Sequence, residues 1–131
     1  MRNTLIFGAA IGLAVGAYFG LLKNDLPAQT TTVSALELTE IGTRGEEAFN
    51  GTCAACHGVN LVGTNNGPPL LHQFYVPGHH GDMSIVLAVK QGSRQHHWRF
   101  GDMPAQEHIT DAELTSIIAY VREVQRANGF N

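Results

Sequence analysis

The residues best equipped for chemistry are Cys53-Ala54-Ala55-Cys56-His57. Two thiols one helical turn apart can add to the two vinyl groups of a single porphyrin. The adjacent histidine then lies beneath the ring, where it can ligate iron. The C-x-x-C-H spacing therefore reads as the attachment site of one covalent haem c, bonded to Cys53 and Cys56 with His57 as an axial ligand. A thioredoxin-type redox pair needs a strand leading into a helix, and nothing before Cys53 alternates as a strand does. A zinc site needs two further ligands at similar spacing, and the chain has only 2 cysteines.

The elements that must position this motif are helical. Residues 43–50 form a short helix with Phe49 facing inward. Asp82, then Ile85, Val86 and Val89, then Gly92 give a cap, an apolar face and a stop. Thr110 and Glu113 form a capping box, in which each side chain can satisfy an orphan amide near the other. Leu114, Ile117, Ile118 and Val121 follow at helical spacing until Gly129. No segment alternates as a strand, so the expected fold is all-α, preceded by one transmembrane helix.

Length and charge bound the rest. A chain of 131 residues is a one-domain length. A formal net charge of −3 lacks the basic excess of a nucleic-acid binder. Leu5 to Leu22 carries no charge, is flanked by Arg2 and Lys23, and as a helix would cover roughly 27 Å, enough for a bilayer core. Residues 1–26 are therefore expected to be an amino-terminal membrane anchor. The competing reading is a cleaved signal peptide with Val15-Gly16-Ala17 as its exit. Gly8, Gly12, Gly16 and Gly20 recur every four residues in one stripe that would let a second helix approach closely. Residues 27–35 read as a polar tether and 36–131 as the globular domain. Arg2 before the apolar run places that domain across the membrane, on the periplasmic side of a bacterial inner membrane.

From Gly42 to the carboxyl terminus the chain resembles the class I mono-haem c-type cytochromes. Gly45, Phe49 and Cys53 follow at four-residue steps as in that family's first helix. Gly67-Pro68-Pro69-Leu70 resembles its proximal loop, Met103-Pro104 its distal methionine motif, and Tyr120 the aromatic that packs the last helix on the first. The resemblance implies that the Pro68 carbonyl accepts a hydrogen bond from the axial His57. It also implies a small helical domain folded around one haem.

The sixth ligand is a choice between Met83 and Met103. Met83 lies in the first turn after Asp82, where a methionine usually fills core volume. Met103 sits in an irregular segment that can fold over the distal face, and it is the expected ligand to iron together with His57. Six histidines remain beyond His57. The pairs His79-His80 and His96-His97, with His72 and His108, form either a polar rim near Trp98 and Phe100, a second copper or zinc site, or an alternative to Met103. Lys90 to Arg99, with Arg94, is the most basic stretch, suited to haem propionates or to an acidic partner.

An iron with both axial positions filled offers substrate no open site, so the chain is expected to be an electron carrier and not an enzyme. The resemblance implies transfer between membrane complexes, from a quinol-oxidising complex to a terminal oxidase or photosynthetic reaction centre. The alternatives are the haem subunit of a periplasmic dehydrogenase and a haem protein that handles or senses a second, histidine-bound metal.

Overall fold

The computed structural model describes residues 37–131. The expected anchor over 1–26, with its Gly8, Gly12, Gly16 and Gly20 stripe, and the tether over 27–35 lie outside the described residues. Among the described residues no helix is long and apolar enough to cross a membrane.

Helix α1 spans Glu40–Thr52 and begins three residues before the expected start. Its cap is Thr39, whose hydroxyl accepts from the Gly42 N–H at 3.2 Å and donates to Glu123 Oε1 at 2.6 Å. Glu123 Oε2 also accepts from the Thr39 N–H at 3.0 Å. That partner lies 84 residues along the chain, so local sequence gives no sign of it. After a near-helical Cys53, α2 (Ala54–His57) continues the coil for one more turn. Helix α3 spans Asp82–Gln91; Gly81, and not Asp82, occupies the cap, with Asp82 the first helical residue. Its Val89 is buried, while Ile85 and Val86 are half-buried. Helix α4 spans Asp111–Ala127 and carries the expected Thr110–Glu113 capping box.

The described residues contain no strand, only two isolated bridges, Thr64 with Gly67 and Ser93 with Met103. Helices α1 and α4 pack most closely, and small residues make this possible. A Cβ on Gly45 would strike the Ser116 carbonyl oxygen and come within 2.9 Å of Tyr120 Cβ. Beside this contact the Phe49 and Tyr120 rings meet at 5.5 Å with a 54° tilt, each 1% exposed. Leu61, Val89, Ile109, Leu114, Ile117, Val121 and Val124 complete the buried core. Leu61 adopts φ +65°, which costs a leucine roughly 1–2 kcal/mol. Complete burial of its side chain offsets that strain, and its carbonyl accepts from the Leu70 and Leu71 N–H groups at 2.8 and 3.1 Å.

Candidate haem site

Helices α1 and α2 deliver the thiols. The His57 N–H donates to the Cys53 carbonyl at 2.9 Å, so Cys53 and His57 share one helical face, while Cys56 is exposed. Cys53, His57, Pro68, Leu70, Ile85 and Met103 line one cavity of about 320 Å³, with Phe49, Ile117 and Val121 among its apolar walls. No disulfide joins Cys53 and Cys56. Burial first, and then neighbouring Cys56, push the Cys53 thiol up to about 11. A redox-active C-x-x-C pair needs the opposite shift.

His57 is oriented by the chain itself. Its Nδ1–H donates to the Pro68 carbonyl at 2.9 Å, as the resemblance implied. The other nitrogen, Nε2, is thereby left with its lone pair, the ligand form of imidazole. Burial pushes the His57 imidazole below its ordinary range, against the pull of the Pro68 hydrogen bond.

The two methionines part company. Met83 is 66% exposed on α3, so the expectation that it fills core volume does not hold. Met103 lines the cavity and is pinned by a paired bridge. The Ser93 N–H donates to its carbonyl at 2.9 Å, and its own N–H donates to the Ser93 carbonyl at 2.8 Å. The end of α3 makes room for this bridge. Gly92 has φ +78°, and a Cβ there would lie 2.7 Å from the Met103 carbonyl oxygen.

These features fit a haem. The walls are apolar, a neutral imidazole nitrogen is free, and a thioether lies in the lining. The Trp98 indole lies close enough to Tyr75 to counter part of the burial that raises its phenol. Yet the indole N–H meets no acceptor in the chain. Arg94 lines the cavity, where carboxylates of a bound group would give it acceptors. Of the other cations in the basic stretch, Arg99 is exposed. Lys90 is spent elsewhere, donating to the Ile109 carbonyl at 2.8 Å and pairing with Asp111 at 2.9 Å.

The histidine pairs converge on the cavity rim, and His80, His96 and His97 line it. Each pair splits, its members meeting members of the other pair, His79 with His97 and His80 with His96. Burial first, and then the other imidazoles, push His97 below its ordinary range. His80 is lowered chiefly by burial, against the pull of the Phe74 carbonyl, with smaller lowering contributions from His79, His96 and Arg122. His72 stands apart as an acceptor from the Phe74 N–H at 3.2 Å, and His108 meets Thr52 at 3.3 Å.

Sequence reasoning missed the polar cluster that holds this rim. Arg122, 6% exposed, donates through Nε to Asp82 at 2.7 Å and through Nη2 to the His80 carbonyl at 2.6 Å. Its Nη1 donates to the Tyr75 carbonyl at 2.7 Å and to Gln125 Oε1 at 2.6 Å. Gln125 Nε2 in turn donates to the Leu70 and Tyr75 carbonyls at 2.9 and 3.1 Å. Four-residue steps from Ile118 and Val121 land on Arg122 and Gln125, so two polar residues on the apolar stripe of α4 were the available signal. Arg122→Ala is expected to destabilise the folded chain by about 3 kcal/mol, since the buried Gln125 amide oxygen and two half-buried carbonyls lose a charged donor while the exposed Asp82 rehydrates. Guanidinium unfolding followed by far-UV circular dichroism measures this; a loss under about 1 kcal/mol would show that the cluster does not hold the loop.

A helical domain that gathers a C-x-x-C-H motif, an oriented imidazole and a thioether around one apolar cavity defines a haem-binding protein. The family model for cytochrome c matches residues 42–125, and the chain belongs to the cytochrome c family. It is a c-type cytochrome, an electron-transfer haem protein carrying covalently attached haem c. Neither the search of curated proteins nor that of solved structures returned a match.

Proposed function

We propose that the chain is a membrane-tethered class I cytochrome that carries single electrons between respiratory or photosynthetic membrane complexes. One haem would be bonded to Cys53 and Cys56 and ligated by His57 and Met103. The geometry that carries this reading is the placement of His57 and Met103 in the lining of one cavity whose other walls are apolar. When bound, haem supplies a one-electron iron couple.

The chain's own residues do the rest. The Pro68 carbonyl fixes the tautomer and plane of His57 and raises its basicity as a ligand. The Ser93 bridge holds the Met103 backbone, so that its thioether need not be ordered anew in each oxidation state. Apolar walls exclude water, which favours the less charged reduced state. The exposed Cys56 marks the side from which a redox partner can approach. With imidazole and thioether both committed, no position remains for substrate, which is why the reading is a carrier and not an enzyme. The uncharged stretch from Leu5 to Leu22 supports a tether, and the following polar residues give a reach of roughly 20 Å.

Spectroelectrochemical titration of the full chain tests the carrier role. A single one-electron wave is expected, with no change in the reduced spectrum under carbon monoxide. Ready carbon monoxide uptake would point to an open iron and to ligand chemistry instead. Purification from native membranes in mild detergent identifies the partner complex, and an intact amino terminus there supports the tether.

A further inference from the structure

Two of the rim histidines are held so that, as neutral imidazoles, neither can donate to the other. His80 Nδ1 lies on the Phe74 carbonyl oxygen, and His96 Nδ1 lies 2.8 Å from the Arg94 carbonyl oxygen. A carbonyl oxygen only accepts, so both Nδ1 atoms carry their protons. A neutral imidazole protonated at Nδ1 has only a lone pair at Nε2. Yet the two Nε2 atoms face each other at 3.3 Å, with the rings stacked at 23°. No hydrogen bond can join two acceptors, whereas a cation between them satisfies both.

The second pair repeats the spacing, with His79 Nε2 and His97 Nε2 3.2 Å apart. The pairs adjoin, because the ligand atoms of His79, His80 and His97 all lie within 4.8 Å of one another. A tetrahedral ion with bonds of about 2.0–2.1 Å to imidazole nitrogen sets its ligands roughly 3.3–3.4 Å apart. Both pairs show that edge. His96 lies outside that group of three and adjoins it through His80, whose Nε2 is 3.3 Å from its own.

The surroundings resemble those of a metal centre. Ligating histidines characteristically donate their second ring nitrogen to a backbone carbonyl, which fixes tautomer and orientation. The Phe74 and Arg94 carbonyls do this for His80 and His96. The Phe74 ring stacks on His97 at 4.3 Å, and Arg122 clamps the His80 backbone. Neither carboxylate nor thiolate is needed, since imidazole alone suits zinc and copper.

We propose that His79, His80, His96 and His97 form a second metal site, taking one zinc or copper ion at the rim of the haem cavity. None of the four is required as a haem ligand by the reading above, so the two sites are separable. The site gives the histidine pairs a task of their own, holding an ion beside a redox centre.

The test uses the haem-loaded full chain, purified without a histidine tag and stripped of loose metal by dialysis against chelator. Titration calorimetry with zinc chloride is expected to give one saturable equivalent per haem. Both His80→Ala/His96→Ala and His79→Ala/His97→Ala should weaken it by roughly a hundredfold or more, while His108→Ala should leave it unchanged. Far-UV circular dichroism of each variant reports that the fold is kept. Absence of saturable binding, or affinity in either double variant equal to that of the unaltered chain, would overturn the proposal. So would a haem spectrum that changes when these histidines are replaced, which would make them iron ligands. Haem content measured on the same samples reports separately on the Cys53–His57 reading.

Discussion

Replacing Met103 with Ala is expected to lower the midpoint potential by on the order of 100 mV and to let the reduced iron bind carbon monoxide. The direction follows from the ligand. A thioether favours the reduced state relative to water or a second imidazole, so its loss shifts the couple downward. The opening follows from geometry, because Met103 lines the cavity that His57 also lines, while Met83 is 66% exposed on α3. Met83→Ala is accordingly expected to change neither property. The Ser93–Met103 bridge is made by backbone atoms alone, so truncating the side chain leaves the segment in place. Potentiometric titration of both variants beside the unaltered chain decides the matter. An unchanged potential in Met103→Ala, or a drop in Met83→Ala, would remove Met103 as the ligand.

The second large effect is expected from Cys53→Ser/Cys56→Ser. This variant should carry no covalent haem and should lose cooperative unfolding. The reason lies in how little core the chain builds by itself. Among the described residues the buried apolar set consists of Phe49, Leu61, Val89, Ile109, Leu114, Ile117, Tyr120, Val121 and Val124. Leu70, Ile85 and Met103 remain half-buried around a cavity of about 320 Å³. A domain of this size buries only about 60–70% of its surface, so walls left facing water are a large fraction of its stability. Thermal unfolding followed by circular dichroism should change from one sharp transition to a broad, shallow one. A sharp transition retained by the double variant would show that the protein core suffices alone.

Much of this was readable in advance, for reasons that differ by element. The C-x-x-C-H motif is local, and its spacing carries its geometry without any distant contact. The Thr110–Glu113 capping box and the apolar stripe of α4 are local as well. The place of Met103 in the cavity lining was legible because a loop following Gly101 can aim a side chain inward, whereas the core role expected of Met83 was wrong. The start of α1 was not legible, because Thr39 is fixed by Glu123 from the far end of the domain. The cap of α3 was misplaced by one residue because an acidic residue at the first helical position and one at the cap look alike in sequence. The crosswise meeting of the histidine pairs and the Arg122–Gln125 cluster depend on how the loop over 70–81 folds onto α4. Only tertiary structure decides that.

The central claim is that one haem is bonded to this chain through Cys53 and Cys56. Intact mass spectrometry of the purified full chain under denaturing conditions tests it most directly, with peptide mapping of the digest. The expected result is the chain mass plus one haem, with the addition confined to the peptide holding Cys53 and Cys56 and resistant to extraction by acidified solvent. A chain of unmodified mass, or haem released by that extraction, would contradict it.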